Sequence, residues 1–370
     1  MAYEVNARNK IYNDITEVIG GTPLVKLNRI ALQENCAATI LAKLEFLNPL
    51  SSIKDRTALA MINAAERDEE LVHGGTIVEA TSGNMGISLA FITAMRGYKL
   101  IVTMPENMSI ERRKLLEFFG AKVILTPAAD GMYGAVKKAE EIEDSTADAI
   151  ILKQFENRFN WEMHYHTTAD EIWQDTKGQV DALVAGVGTG ATLQGIAKAL
   201  KERNEELEAF AVEPASSSVL TGGKVRPHQI QGIGPNFIPP ILDMKMIDDT
   251  IDIGDDEAME FTKRLARNEG ILAGISSGAA VAAAIQIGKQ PSMRDKNIVV
   301  LLPDTGERYL STALFQKEEE TKPETQRKAE AAESSAKEKK EQRQKEKPEK
   351  SEEEAKPHRE ASKEDEKTRT

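Results

Sequence analysis

Short apolar runs without polar alternation recur along most of the chain. They fall at 39–44, 76–80, 100–103, 122–125, 149–152, 182–185, 210–212 and 297–302, and are rich in Ile, Val, Leu and Ala. Each predicts a strand. Amphipathic stretches at 56–68, 86–96, 110–119, 132–142, 193–203, 255–268 and 278–289 predict helices between them. A strand that is apolar at every position is covered on both faces, which is the habit of parallel sheets flanked by helices. The pattern therefore predicts an α/β protein with right-handed crossovers. Two mainly parallel twisted sheets, one in each half, fit the length better than one very wide sheet.

The pattern stops near residue 316. Residues 316–370 hold 16 Lys/Arg and 17 Asp/Glu among 55 positions, with no Leu, Ile, Val, Phe, Met, Tyr, Trp or Cys. Such a segment cannot bury enough apolar surface to offset chain entropy and is expected to be a disordered charged tail. The preceding 315 residues carry a net charge of −11 out of −12. A body this acidic argues against a nucleic-acid or anionic-membrane binder. No apolar run approaches the roughly 18 residues of a membrane span. Met1–Asn13 is polar and mixed in charge, unlike a signal or transit peptide, so the expected address is cytoplasmic. The lone Cys36 excludes a disulfide framework or a Cys-rich metal site. His164 and His166 have no acidic or Cys cluster in sequence beside them, so no metal site is expected.

Ligands of open α/β sheets bind outside the carboxyl ends of strands, which directs attention to the strand-to-helix turns. Four have unusual composition. Asn48–Arg56 brings Lys54 to the start of a helix. There the partly positive helix end would lower its pKa, as a lysine that attacks a carbonyl requires; a solvent-facing Lys54 paired with Asp55 is the simpler reading of this turn alone. Ala80–Gly86 offers Thr81, Ser82 and Asn84 with two glycines, which suits a carboxylate or phosphate as well as an ordinary helix cap. Gly186–Thr192 has three glycines in five positions, so its N–H groups can approach a phosphate. It also fits the dinucleotide pattern Gly186-x-Gly188-x-x-Ala191 with Glu213 after the next strand, which keeps a nicotinamide enzyme open. Gly274–Ala280 opens a small-residue helix, which by itself speaks of close packing.

Taken together these turns are familiar. Asn48-Pro49-x-Ser51-x-x-Lys54-Asp55-Arg56, Thr81-Ser82-Gly83-Asn84, Gly188–Thr192, His228-x-Ile230-Gln231-Gly232-Ile233-Gly234, Gly274-Ile275-Ser276-Ser277-Gly278 and Gly306-Glu307-Arg308-Tyr309-Leu310-Ser311 resemble the cysteine synthases (O-acetylserine sulfhydrylases), β-family pyridoxal 5′-phosphate enzymes of fold type II. The resemblance runs in order from about Ile15 to Phe315. It implies a catalytic body over 12–315, with an N-terminal subdomain of about 50–157, a C-terminal subdomain of about 158–315 joined by 12–49, and the cofactor in the cleft between them. It implies that Lys54 binds the cofactor covalently, Asn84 meets its 3′-oxygen, Gly188, Thr189, Gly190, Ala191 and Thr192 cup its phosphate, and Ser276 meets the ring nitrogen. Thr81, Ser82, Met85, Gln154 and Gly232 fall at the substrate. The implied reaction makes L-cysteine and acetate from O-acetyl-L-serine and sulfide by β-replacement. A Ser rather than an Asp at the ring nitrogen gives a weaker electron sink, which suits elimination from Cβ. The nicotinamide reading leaves the turns at Lys54, Asn84 and Ser276 unexplained.

The chain departs from the family at several places. Met85 replaces the usual Thr, as in the β-cyanoalanine synthases, relatives that use cysteine and cyanide. Ala185 lacks the second Met of those relatives, so β-cyanoalanine synthesis is the alternative activity. Ala191 replaces a Gly of the phosphate cup. The resemblance also implies a homodimer and a visiting C-terminal peptide of serine acetyltransferase, but Gln229 stands where that surface carries a Lys. A non-catalytic relative that only binds such a peptide is a further alternative, against which the retained Lys54 and Gln154 weigh.

Overall fold

The structure, a computed structural model, describes residues 10–316. Among the described residues ten strands form two sheets. In chain order the strands are β1 (Leu24–Lys26), β2 (Thr39–Leu44), β3 (Thr76–Ala80), β4 (Lys99–Pro105), β5 (Lys122–Thr126), β6 (Ala149–Ile151), β7 (Ala182–Gly186), β8 (Glu208–Pro214), β9 (Asp249–Ile253) and β10 (Asn297–Leu302). The larger sheet has the order β1-β2-β10-β7-β8-β9, and the smaller β5-β4-β3-β6. Every pairing is parallel except β1 with β2, at one edge.

The helices are α1 (Asn28–Gln33), α2 (Lys54–Arg67), α3 (Asn84–Arg96), α4 (Ile110–Phe118), α5 (Gly131–Ser145), α6 (Phe159–Met163), α7 (Ala169–Asp175), α8 (Ala191–Lys201), α9 (Asp255–Arg264) and α10 (Ile275–Gly288). The larger sheet has an apolar core on each face. On β10, Ile298, Val300 and Leu302 point to one core with α9 and α10, while Val299 and Leu301 point to the other with α8. Side chains alternate between the faces of a strand, so a strand buried on both must be apolar at every position. Helix α10 is buried almost all round, and its alanines let it lie close to the sheet and to α9. A third core joins α2 and α3 to the smaller sheet.

All eight expected strands are present. The short edge strand β1 and the strand β9 were not expected. Strand β9 reads Asp-Thr-Ile-Asp-Ile and is half polar because it lies at the sheet edge. Helix α1 and the run from α6 to α7 were also not expected. The latter passes through a π-helical stretch, His164–Thr168, and mixes aromatic, Thr and His residues without a clean helical stripe. The tail expected over 316–370 lies, beyond Gln316, outside the described residues. Among the described residues, no helix is long and apolar enough to cross a membrane.

Candidate active site

Three strand-to-helix turns, after β2, β3 and β7, converge with the start of α10 and the end of β10 on one cavity of about 300 Å³. That is the lower end of the roughly 300–1,000 Å³ typical of ligand pockets. The turn at Gly274 follows a helical stretch, Leu265–Glu269, and not a strand as expected. The first turn leads from β2 to Lys54, the first residue of α2. The Ile53 N–H donates to the Pro303 carbonyl (2.8 Å), which fixes the start of α2 against the end of β10. Lys54 lines the cavity. Burial pushes its amine down to about 8. Asp55 does not pair with it: the Asp55 carboxylate accepts from the Leu50 N–H (2.7 Å) and from Ser88 Oγ (2.6 Å). Thus a surface Lys54–Asp55 pair, the simpler reading of the sequence, does not form.

The second turn joins β3 to α3. Thr81, Gly83, Asn84 and Met85 line the cavity. Ser82 does not; its carbonyl accepts from the Arg112 guanidinium (3.0 Å). Asn84 Nδ2 donates to Asp304 Oδ2 (2.7 Å), while Asn84 Oδ1 is buried without a protein partner. Met85 is only 2% exposed, so its side chain both packs in the smaller core and forms part of the cavity wall.

The third turn, from β7 to α8, is the glycine-rich one. A Cβ on Gly188 would stand 2.3 Å from the Gly232 carbonyl oxygen, so this loop and 228–234 touch backbone to backbone. Gly190 has φ +79°, a left-handed conformation that suits glycine. Gly188, Thr189, Gly190, Thr192 and Gly232 line the cavity, and Ala191, the first residue of α8, sits just behind them. An α-helix leaves its first N–H groups without intrahelical partners, so this end is built for an anion. Glu213 of the dinucleotide pattern is engaged elsewhere, accepting from the Leu220 and Thr221 N–H groups. The fourth wall brings Ser276, at the start of α10, and Asp304, just past β10.

Asp304 was not singled out by the sequence reading. It is buried, and besides Asn84 it accepts from the Tyr309 hydroxyl (2.7 Å). Burial raises its pKa. Its one sequence signal is a charged residue two positions after an apolar strand, past Pro303, where a turn begins.

Gln154 also lines the cavity, and its amide approaches Glu79 Oε1 (3.4 Å). Burial in the middle of β3 pushes the Glu79 carboxyl from 4.5 up to about 8. Glu79 is therefore neutral at pH 7 when folded and ionised when unfolded. Folding stability then falls as pH rises from about 4.5 to 8. A Glu79→Gln variant escapes this loss. Its melting temperature relative to the parent should rise between pH 5 and pH 8, by the equivalent of a few kcal/mol at about 1.4 kcal/mol per pKa unit. A difference that stays constant with pH would show Glu79 ionised in the native protein.

A phosphate-bearing aldehyde fits what these residues offer: an anion cradle, an amine of lowered pKa, an amide and a hydroxyl. The model of the family described as "Pyridoxal-phosphate dependent enzyme" matches residues 15–304. The chain belongs to this family, and pyridoxal 5′-phosphate is its cofactor. It is 50% identical over 307 residues to a cysteine synthase of Staphylococcus aureus, covering 83% of this chain and 98% of the relative. It is 52% identical over 316 residues to cysteine synthase A of Escherichia coli, covering 83% and 96%. The solved cysteine synthase of Entamoeba histolytica superposes with a TM-score of 0.83 at 40% identity, covering 88% of this chain and 95% of that one.

Proposed function

We propose that the protein is a cysteine synthase that makes L-cysteine and acetate from O-acetyl-L-serine and sulfide. The observation that carries this reading is the lysine amine of lowered pKa, placed where the Asn84 turn, the Gly188–Thr192 turn and Ser276 meet. Pyridoxal phosphate, when bound, supplies the electron sink that makes the Cα proton of an amino acid removable and lets a β-substituent leave. Gly188, Thr189, Gly190, Ala191 and Thr192 hold its phosphate. Asn84 donates to its 3′-oxygen, and Asp304 orients that amide. Ser276 meets the ring nitrogen as a neutral partner. Lys54 would attach the cofactor, and its free amine would take the Cα proton of a bound amino acid and later return it. Thr81 and Gln154 hold the substrate carboxylate, and Gly232 closes the same side; Ser82, which the sequence placed with them, lies outside the cavity wall. The two sheets serve as subdomains, about 50–157 and about 158–315 with 12–49.

The same reading carries a homodimer in the cytoplasm. The C-terminal peptide of a serine acetyltransferase is a candidate visitor to the cleft, with the exposed Gln229 at the place that would meet it.

The test is direct. The purified protein should be yellow, its visible band should shift on adding O-acetylserine alone, and cysteine should form only when sulfide follows. Initial rates should give parallel double-reciprocal lines, because acetate leaves before sulfide binds. No band shift together with no cysteine would overturn the assignment.

Met85 favours a second activity, β-cyanoalanine synthesis from cysteine and cyanide, beside the first. Where a Thr hydroxyl could serve the substrate carboxylate, Met offers no donor. A hydrogen bond to a charged group contributes roughly 1.5–3 kcal/mol, worth about ten- to a hundredfold in binding. Met85→Thr should therefore tighten O-acetylserine binding by up to that factor and lower the cyanide-to-sulfide rate ratio. It should also cost stability, since Met85 fills part of a core. An unchanged or higher ratio would make residue 85 a packing residue only.

A further inference from the structure

Gln154 follows β6 and lines the cavity. Its backbone is fixed: the Gln154 main-chain carbonyl accepts from the buried Asn160 amide (2.8 Å), and Asn160 Oδ1 accepts from the Thr57 hydroxyl of α2 (3.0 Å). The side-chain amide alone is left to choose a direction. Its neighbour is Glu79 of β3, which is 3% exposed and is not part of the cavity wall. The Leu152 N–H and the Gln154 amide are the polar groups that face the Glu79 carboxyl, and no charged side chain acts on it. Among the described residues its Oε2 is buried without a partner. With no opposite charge to offset burial, the carboxyl keeps its proton at pH 7.

A neutral carboxyl has one O–H donor, and a buried donor needs an acceptor. The amide can meet this carboxyl in two ways. In the first, Gln154 Nε2 faces Glu79 Oε1; the contact is 3.4 Å, long for a hydrogen bond. The carboxyl proton is then left to Oε2, where it finds no acceptor, and the amide oxygen is the group free to meet a ligand. In the second, the amide is turned by half a rotation, which keeps its shape. Its oxygen takes the carboxyl proton, and both Nε2 hydrogens are free. The group left unpaired is then a carbonyl oxygen and not an O–H, and buried carbonyl oxygens go unpaired more often than buried donors. A substrate carboxylate only accepts. The second arrangement serves it, whereas the first sets oxygen against oxygen.

We propose that Glu79 is a positioning residue for the substrate carboxylate: when substrate binds, its carboxyl O–H donates to Gln154 Oε1 and so turns Gln154 Nε2 to the cavity. The proposal rests on the carboxylate role given above to Gln154.

L-Serine has the substrate's carboxylate but a poor leaving group, so titrating it into the holoenzyme and following the visible band reports binding without turnover. Gln154→Leu should weaken L-serine binding about ten- to a hundredfold, the worth of one hydrogen bond to a charged group. Glu79→Met fills the space but cannot donate. It should weaken binding about three- to tenfold in the parent, the worth of holding one side chain in place, and add almost nothing in Gln154→Leu. Glu79→Gln can still donate through its amide and should stay within about twofold of the parent at pH 7. Near pH 8 Glu79 loses its proton and can only accept, so the Kd of the parent should rise relative to that of Glu79→Gln between pH 7 and pH 9. L-Serinamide, which lacks the carboxylate, should bind all these variants alike. An infrared difference spectrum reads the contact directly: adding L-serine should shift a carboxylic-acid C=O band that is missing in Glu79→Gln. Parent-like binding by Glu79→Met, equal losses from it in both backgrounds, a Kd ratio that stays flat with pH, or the lack of that band would overturn the proposal. If Gln154→Leu itself leaves L-serine binding unchanged, the carboxylate role of Gln154 fails, and the proposal falls with it.

Discussion

Replacing Lys54 by alanine should lower the rate of cysteine formation by at least about a thousandfold while the purified protein still contains pyridoxal phosphate. In the proposed function the amine does two things, attaching the cofactor and moving the Cα proton. A positioned general base alone contributes roughly 10²- to 10⁴-fold. Its environment fits the task. At pH 8 an ordinary lysine is deprotonated in only about one molecule in three hundred, whereas an amine with a pKa of about 8 is deprotonated in half. The cause is burial, since among the described residues no carboxylate pairs with Lys54 Nζ. Lys54→Arg should not rescue activity, because a guanidinium stays protonated. The anion cradle at α8 is a separate part of the cavity, so noncovalent cofactor should remain. The checks are turnover with O-acetylserine and sulfide, and cofactor content after denaturation. A Lys54→Ala protein that keeps more than a few per cent of the parent rate would remove Lys54 from the chemistry.

The residues around Lys54 show what was legible in the sequence. Buried parallel strands such as β7 and β10 announce themselves, because both faces must be apolar and the apolar runs are short. The turns after them were legible because glycine and small polar residues cluster there, and because their order matches one family. Local patterns say little about what a buried polar residue meets across the fold. Asn84 and Asp304 are 220 positions apart and become partners only when β3 and β10 bring their ends together. Glu79 looks like a polar interruption of a strand until Gln154 is found beside it. His164 carries no signal in the sequence beyond the lack of a metal-ligand cluster beside it. Its hydrogen bond with Thr192 (3.1 Å) depends on a close helix contact at Gly195 that no spacing rule reveals. Edge strand β9 was missed for the opposite reason, its polar residues being permitted by exposure.

Arg56→Leu should destabilise folding by about 3–5 kcal/mol, the usual result of removing one partner from a buried ion pair. Arg56 is 3% exposed and lies two residues beyond Lys54, in the first turn of α2. Its guanidinium binds Glu45 through Nε (2.8 Å) and Nη2 (3.1 Å), and Glu171 through Nη1 (2.8 Å) and Nη2 (2.6 Å). Glu45 is completely buried, so losing the arginine leaves a charge in the interior with only Thr22 and Asn48 as polar partners. Arg56→Lys should recover little, because one ammonium cannot span two carboxylates as a planar fork can. The pH dependence separates this account from simple loss of packing. Burial pushes the Glu171 carboxyl up, but the Arg56 hydrogen bonds and charge, with Lys43, outweigh it and hold its pKa at about 2. Glu171 therefore contributes stability that is complete above its ordinary value of 4.5 and is lost as pH falls toward 2. Without Arg56 most of that contribution is absent at every pH. The gap in melting temperature between parent and Arg56→Leu should then be widest near pH 7 and narrow below about pH 4. A gap that stays constant down to pH 3 would mean that Arg56 stabilises α2 by packing, and that its ion pairs with Glu45 and Glu171 add nothing to the placement of Lys54.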